Sequence, residues 1–263
     1  MLFYPRSDQS WSRGELSHRG NLPNELEFNK LPIPAPLVVI NAVGLTRRWL
    51  PHAPNLNRLA QAGWVHSLDE VIPAVTCSAQ ATMLTGAQPG THGIVANGWL
   101  FRDTQEIRFW QQSNALIQRP LIYKTLRAEW LKRGREFKAA KLFWWFNQGA
   151  DVALSLTPKP YYGADGAKAF GISSHPQAFA ASMERAIGPF PFPSFWGPRS
   201  GLSSTAWIAA CAAETLRRER PHLTLVYLPH LDYEPQRRGP SGCDMQRLVG
   251  ELDAACSPLL EEA

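Results

Sequence analysis

The sequence predicts an α/β fold with a mostly parallel central sheet and helices on both of its faces. Three short runs are almost wholly apolar, as is typical of strands buried on both sides: Leu37–Asn41, Ala139–Phe146 and Leu223–Leu228. Segments with helical periodicity separate these runs, and strands that alternate with helices form parallel βαβ units. The 263 residues are enough for one sizeable domain, and 44% of them are hydrophobic, as in globular proteins.

The first part of the chain divides into a lead-in and the start of the domain. Residues 1–35 are polar and then rich in proline, which predicts an extended segment with little regular structure, followed by the α/β domain over residues 36–263. After the first strand, Pro54–Gly63 has leucines three residues apart and is predicted to be a short helix ended by its glycine. Val65–Val71 is predicted to be a strand that leads to Thr76, with a helix over Cys77–Leu84.

The second part continues the alternation of strands and helices. Arg108–Gln112 is predicted to be a short strand, and Pro120–Lys132 has the apolar spacing of a helix. Residues 151–200 are rich in proline, glycine and aromatic residues with weak periodicity, which predicts an irregular, cap-like insertion over the sheet. The spacing predicts two further helices, over Ser203–Arg218 and Cys243–Glu262.

Composition excludes several classes of partner. The net charge is +5 and the pI is about 9.2, but the basic residues are scattered, so no footprint for a nucleic-acid polymer is predicted. The four cysteines form no Cys-x-x-Cys motif, and we expect them to be reduced thiols. The sequence shows neither a signal-peptide pattern nor a membrane-spanning run, which predicts a cytoplasmic protein without a membrane partner. The oligomeric state stays open.

The most informative segment is Ile72–Gly86, where a strand-like run gives way to a helix-like run at Thr76. A hydroxyl at a helix start faces free backbone N–H groups and the positive end of the helix dipole, which together favour a phosphate group. The chain continues with His92-Gly93-Ile94 and with Asn97-Gly98-Trp99. Taken alone, Thr76 is an ordinary helix cap and Asn97 a turn residue; their order and spacing make the pattern specific.

These motifs resemble the nucleotide pyrophosphatase/phosphodiesterase family of the alkaline phosphatase superfamily. The resemblance implies an alkaline-phosphatase-like fold and a metal-dependent hydrolase that uses two zinc ions. It implies that Thr76 attacks phosphorus and contacts metal, that Asn97 helps to hold a phosphoryl oxygen, and that His92 is structural. The implied substrate is a phosphorylated small molecule or a nucleotide.

The metal ligands implied by the resemblance are only partly present. Leu225–Pro240 is similar to the family's strand followed by Pro-Asp-x-x-Gly-His-x-x-Gly-Pro. Anchoring on the final Gly-Pro places Asp232 on the zinc-binding Asp and Gln236 on the His, and glutamine is a weak zinc ligand. His230 supplies an imidazole only if the loop runs differently.

The first strand and the end of the chain depart further from the family. Val43 stands where the family has a zinc-binding Asp before Gly44, and the nearest polar residue is Asn41, which is either a substitute ligand or a satisfied strand-end amide. The family's later Asp-His-Gly segment has no counterpart. We therefore expect a fold that is incomplete at its C-terminus, an incomplete metal site, and weak or no activity in this chain.

Two other functions compete with the phosphodiesterase hypothesis. The first is a non-catalytic fold relative that binds a phosphorylated metabolite or a protein partner, which Val43 and Gln236 favour. The second is a sulfatase, suggested by Cys77-Ser78, although the residues that follow do not match a sulfatase motif. Residues 151–200 and aromatic residues such as Trp99, Trp144 and Trp145 are expected to decide the choice of substrate.

Overall fold

The computed structural model describes residues 35–162 and 168–263, so the predicted lead-in falls almost wholly outside the described residues. The strands are β1 (Leu37–Ala42), β2 (Gly98–Phe101), β3 (Glu106–Phe109), β4 (Ala139–Leu142), β5 (Leu154–Tyr162), β6 (Lys168–His175) and β7 (Leu223–Leu228). The helices are α1 (Pro54–Ala62), α2 (Thr76–Thr85), α3 (Pro89–His92), α4 (Ile122–Lys132), α5 (Ala178–Ile187), α6 (Leu202–Glu219), α7 (His230–Arg238) and α8 (Met245–Glu262). Short 3-10 turns lie at Arg47–His52, Asn114–Leu116 and Phe192–Ser194.

Five strands form the central sheet in the order β1-β7-β4-β5-β6. The first four are parallel, and β6 runs antiparallel to β5 at one edge. The register pairs Asn41 with Tyr227 and Ala42 with Leu228, so β1 and β7 end at the same edge of the sheet. Strands β2 and β3 form a separate antiparallel hairpin. The fold is the mostly parallel α/β architecture that the apolar runs predicted.

Helices cover both faces of the sheet because successive strand residues point to opposite sides. Leu223 and Leu225 of β7 pack with residues of α2 and α4, including Cys77, Ala81 and Tyr123. Val226 and Leu228 belong to the opposite core, to which α1, α5, α6 and α8 contribute buried side chains. The expected helices on both faces are therefore confirmed. Among the described residues, no helix combines the length and the apolar character that crossing a bilayer requires.

Two predicted strands are corrected by the structure. Val65–Val71 has no regular structure and is mostly exposed, because no neighbouring strand pairs with it. The run Ala139–Phe146 stays extended only as far as Leu142. Phe143 and Phe146 then adopt positive φ angles of 60° and 63°, which turns the chain inwards although every residue of the run is buried.

Residues 151–200 are also more regular than their composition predicted. They contribute β5 and β6 to the central sheet, followed by α5. Prolines inside β5, at Pro158 and Pro160, normally argue against a strand. They are tolerated here because β4 pairs with β5 only over Leu154–Leu156, so that beyond Leu156 this side of β5 is a sheet edge. The segment after Leu228, expected to be a ligand loop, is helical as α7.

Candidate functional site

Thr76 is the first residue of α2 and follows Val75, which is extended with φ −119° and ψ 160°. The Ser78 hydroxyl fixes this entry, because it donates to the backbone oxygens of Pro73 at 2.6 Å and Val75 at 3.1 Å. Thr76 itself is half-buried. The helix ends at Gly86, whose φ of 65° is the left-handed conformation that glycine adopts without strain. The sequence located this helix to within one residue at each end.

Asn97 lies beside Thr76. Its Oδ1 accepts a hydrogen bond from the backbone N–H of Cys77 at 2.9 Å. No side chain within α2 caps the start of the helix, so Asn97 serves as its cap from outside. The structure therefore brings together the two residues that were predicted to act on a phosphoryl group.

Tyr227, near the carboxyl end of β7, is a site residue that the sequence argument missed. Its phenol lies close enough to the Thr76 side chain for that side chain to lower the pKa of Tyr227. Burial raises the pKa of Tyr227 by more than Thr76 lowers it, so the phenol stays protonated at neutral pH. A tyrosine near the end of a buried, mostly aliphatic strand was the available signal, since ligands bind at the carboxyl ends of parallel strands.

Asp232 and Gln236 lie one turn apart on α7, where Gln236 Nε2 donates to Asp232 Oδ2 at 2.6 Å. Burial raises the pKa of the Asp232 carboxyl, and the hydrogen bond from Gln236 opposes that shift. The negative charge of Asp232 in turn raises the pKa of Tyr227, which places the carboxyl near the phenol. Tyr227 near the end of β7 and Asp232 in the first turn of α7 thus lie at the same edge of the sheet, and Thr76 and Asp232 both shift the pKa of the Tyr227 phenol.

Asn41 lies on β1 opposite Tyr227, but its side chain contacts α2 one turn beyond Thr76. Its Oδ1 lies 3.5 Å from Nε2 of Gln80, and its Nδ2 lies 3.5 Å from the sulfur of Met83. The first distance is long for a hydrogen bond to oxygen, and the second is an ordinary length for the weak hydrogen bond that a thioether sulfur accepts. Asn41 therefore borders the site without a strong partner.

His230 points to the packing between α7 and α8. Its Nε2 lies 3.0 Å from Oε2 of Glu251, and its ring is buried. Burial lowers the pKa of His230, while Glu251 raises it. Because residues two apart on a helix face different directions, His230 and Asp232 do not converge on one point.

His92 has the structural role that the resemblance implied. It is fully buried, its Nδ1 accepts from the N–H of Ile94 at 3.1 Å, and its Nε2 lies 3.0 Å from Oγ1 of Thr82. Both ring nitrogens are thus engaged within the protein. The ring fixes the turn after α3 against α2.

The residues around Thr76 do not fit a two-zinc centre. Zinc is bound by Cys, His and carboxylate side chains, and of these the cluster offers the Asp232 carboxylate. Val43, at the position of the family's Asp, packs against the apolar core. Within residues 35–162 and 168–263, no group of three or more His, Cys, Asp or Glu side chains is placed to hold a metal ion.

What remains is a site suited to an anionic oxygen. The start of α2 offers backbone N–H groups and a positive dipole end, and Thr76 and Tyr227 offer hydroxyl donors. A threonine hydroxyl needs a base or a metal to become a nucleophile. The protonated phenol of Tyr227 is not such a base.

Comparison with known proteins identifies one matching family. Residues 37–263 match the model of the family described as type I phosphodiesterase / nucleotide pyrophosphatase. No curated protein matches the chain.

Solved structures show the same fold at low sequence identity. Phosphonoacetate hydrolase from Sinorhizobium meliloti 1021, in complex with phosphonoacetate, has a TM-score of 0.60 and 19% identity, covering 88% of this chain and 55% of its own. An inactive form of murine ectonucleotide pyrophosphatase / phosphodiesterase 5, in complex with AMP, has a TM-score of 0.54 and 16% identity, covering 87% and 52%. The chain thus spans about half the length of these proteins, and an alkaline-phosphatase-like fold is confirmed.

Proposed function

The chain belongs to the type I phosphodiesterase / nucleotide pyrophosphatase family, and from this premise we propose that Thr76 is the residue that receives a phosphoryl group from a phosphodiester or pyrophosphate. One observation carries the proposal: the side chain of Asn97 meets the backbone of Cys77 at the start of α2, next to the Thr76 hydroxyl. A phosphoryl group bound there contacts the hydroxyl and the positive end of the helix together.

The proposed reaction has two steps. Thr76 Oγ1 forms a bond to phosphorus, and the bond from phosphorus to the leaving oxygen breaks, with the threonine proton passing to the leaving group. Water then cleaves the phosphothreonine and releases the second product. Asn97 is proposed to hold a phosphoryl oxygen. Its Oδ1 already contacts Cys77, which leaves its Nδ2 as the donor.

Zinc, which the family resemblance implies, receives no step in this proposal. Asp232 is the carboxylate that would hold a metal, and Gln236, His230 and Asn41 add no second strong ligand at Thr76. We therefore expect this chain to bind a phosphorylated small molecule more readily than it turns one over.

The shortage of zinc-binding side chains near Thr76 also favours a second function. With one carboxylate at the cluster and Val43 in the core, the chain is suited to bind a phosphorylated metabolite without hydrolysing it. Murine ectonucleotide pyrophosphatase / phosphodiesterase 5 in complex with AMP makes AMP the natural probe of both functions.

The test combines binding with turnover. AMP affinity is measured by calorimetry, and hydrolysis of bis(p-nitrophenyl) phosphate is followed with and without added zinc. Thr76→Val removes the hydroxyl at nearly constant shape and is expected to weaken AMP binding about tenfold, the effect of one hydrogen bond to a charged group. Thr85→Val removes a hydroxyl at the other end of α2 and serves as the matched control.

The outcomes separate the two functions. Zinc-dependent hydrolysis that Thr76→Val abolishes supports the phosphodiesterase. AMP binding that depends on Thr76, without hydrolysis, supports the binding protein. Equal AMP affinity in Thr76→Val and the unaltered chain would overturn the placement of the phosphoryl group.

A further inference from the structure

A groove on the α2 side of the sheet plays no part in the function proposed above. Its aromatic end is a cleft of about 550 Å³ with Phe109, Trp110, Trp145, Phe170 and Trp196 in its walls. Its polar end is a pocket of about 300 Å³, with walls that include Asn147, Ser155, Thr157, Ser173, Ser174 and His175. The two ends share Gln148 and Lys159, and we call them together the tryptophan groove.

Three indole rings form a continuous wall at the aromatic end. The ring centroids of Trp110 and Trp145 are 5.0 Å apart, and those of Trp145 and Trp196 are 5.9 Å apart. Trp110 adopts a φ of 54°, a conformation that is unusual for a bulky residue and persists only where the surroundings impose it. Trp145 is only 2% exposed and lies behind the surface, so the half-buried rings of Trp110 and Trp196 are the ones that can receive the apolar face of a ligand ring.

Unpartnered polar atoms are concentrated in this groove. In the described part of the chain, eight buried side-chain nitrogen and oxygen atoms have no hydrogen-bond partner, and four of them belong to residues of the groove: Gln112 Nε2, Trp145 Nε1, Asn147 Oδ1 and Thr157 Oγ1. Three of these four residues, all but Gln112, are less than 5% exposed. A buried polar group without a partner destabilises the folded protein, so such a concentration points to a bound partner.

The orientation of these atoms is fixed by neighbouring bonds. The Gln112 Oε1 accepts from the N–H of Phe146 at 3.1 Å, which leaves Nε2 as the free donor. The Asn147 Nδ2 donates to the oxygen of Leu156 at 2.6 Å, which leaves Oδ1 as the free acceptor. The groove therefore presents two donors, one acceptor and one hydroxyl.

The charge of the groove restricts the ligand. No Asp or Glu is among the described residues of its walls, which disfavours a cation. Its ionisable residues are Lys159 and His175, which is too little positive charge for a polyanion. Hydroxyl groups both donate and accept, and so match a mixed set of donors and acceptors on neutral side chains.

Two hydrogen bonds connect the groove to the Thr76 centre. The N–H of Trp110 donates to the backbone oxygen of Asn97 at 2.8 Å. The backbone N–H of Trp145 donates to Oε1 of Gln80 at 2.8 Å, and Gln80 lies one turn after Thr76 on α2. The segments that carry the groove are therefore bonded to Asn97 and to α2, the two elements that form the Thr76 centre.

We propose that the tryptophan groove binds a neutral, polyhydroxylated ring, a sugar or cyclic polyol, that is one substituent of the phosphodiester. The ring's apolar face stacks on the tryptophans, and its hydroxyls pair with Gln112, Asn147 and Thr157. Its role as a substituent rests on the proposed function, whereas its binding does not.

Binding is measured without zinc and without hydrolysis, on the full chain carrying Thr76→Ala. The probes are methyl α-D-glucopyranoside and myo-inositol, with cyclohexanol as the ring that lacks the added hydroxyls and glucose 1-phosphate as the phosphorylated form. Tryptophan fluorescence and saturation-transfer NMR report occupancy. Thr157→Val removes one unpartnered hydroxyl and is expected to weaken polyol binding about tenfold.

Thr224→Val is the matched control, because Thr224 Oγ1 is also buried without a partner but lies outside the groove. Trp196→Phe provides a second, independent variant and is expected to weaken binding and reduce the fluorescence change. Saturable polyol binding lost in Thr157→Val and kept in Thr224→Val supports the proposal. No polyol binding, equal binding of cyclohexanol, or binding of glucose 1-phosphate alone overturns it.

The outcomes are independent of the phosphodiesterase. Polyol binding without any phosphodiester hydrolysis leaves the polyol site standing and rejects both the enzyme and the role of the ring as a substituent of its substrate. Hydrolysis at Thr76 without polyol binding rejects the groove and leaves the enzyme standing.

Discussion

Asn97 Oδ1 accepts a hydrogen bond from the backbone N–H of Cys77 at 2.9 Å, across a sequence separation of 20 residues. The Asn97 side chain therefore has two roles. Its oxygen caps the start of α2, and its nitrogen is left for a ligand at Thr76. A substitution that keeps the oxygen acceptor but replaces the nitrogen donor can separate the two roles.

Asn97→Asp is expected to keep the stability of the fold and to lose anion binding. The carboxylate still accepts from Cys77 and is favoured at a helix start, but it repels a phosphoryl group. Asn97→Ala is expected to lose about 1 kcal/mol of unfolding free energy, because the cap disappears. Urea unfolding and AMP calorimetry measure the two effects. Undiminished AMP affinity in Asn97→Asp would contradict the role given to this residue.

Asp232→Asn is expected to stabilise the protein at neutral pH. Burial raises the pKa of Asp232 in the folded protein above the ordinary value of 3.8. As the pH rises past 3.8, the carboxyl therefore ionises more readily in the unfolded state than in the folded state. Ionisation of this buried carboxyl then lowers the free energy of unfolding. The gain from the substitution should therefore vanish below that pH and grow as the pH rises through the raised pKa. Thermal unfolding across this range measures it.

Glu234→Gln is the control on the same helix. Hydrogen bonding to Arg237 lowers the pKa of Glu234, so its removal should be slightly destabilising at neutral pH, opposite in sign to Asp232→Asn. If Asp232→Asn were less stable at neutral pH, the carboxylate would have a favourable partner that the geometry does not show.

His92→Ala is expected to destabilise the fold by about 2 kcal/mol and to leave AMP affinity unchanged, since the substitution leaves Thr82 and Ile94 unpaired in the core. In the native protein the ring should be the neutral tautomer with its hydrogen on Nε2, because Nδ1 accepts from Ile94. Nitrogen-15 NMR identifies the tautomer, and zinc should not perturb it. A zinc-dependent shift of this ring would instead make it a ligand.

The parts of the structure that the sequence predicted are those set by local patterns. The apolar runs located β1 and β7, and the segment Ile72–Gly86 and the Asn-Gly-Trp motif located α2 and Asn97, because periodicity and turn chemistry act over a few residues. Pairing between strands depends on residues that are far apart in the sequence, so local patterns do not predict it. Val65–Val71 looked like a strand but finds no neighbour, whereas β5 finds one in spite of its prolines.

The candidate site shows the same division. Thr76 and Asn97 were found from their motif, but Tyr227 comes near Thr76 only through the pairing of β1 with β7 and the position of α2. The direction of His230 depends on how α8 packs against α7, which the linear order of residues does not encode. Tertiary packing thus decides which polar groups of the predicted segments converge.

Lys141 is a charged residue type that is usually exposed, but tertiary packing buries it here. This lysine of β4 is fully buried, and its Nζ donates to the backbone oxygens of Trp145 and Phe146, each at 2.9 Å. The ammonium also lies 5.4 Å from the centroid of the Tyr123 ring. These contacts hold the turn that places Trp145 in the wall of the tryptophan groove.

Lys141→Met tests this contact through the pH dependence of stability. Burial lowers the pKa of Lys141 well below its ordinary value of 10.5, so between the lowered pKa and 10.5 the unfolded state binds more protons than the folded state. The stability contributed by this group therefore rises with pH in that window and is lost as the pH falls through the lowered pKa. Relative to the unaltered chain, Lys141→Met should be least stable near pH 10.5, and its relative stability should increase as the pH decreases.

Chemical unfolding at several pH values measures the difference. The control is Lys138→Met, which removes a part-exposed lysine bonded to Glu219. A difference between Lys141→Met and the unaltered chain that stays constant with pH would show that the ammonium keeps its ordinary pKa in the folded protein.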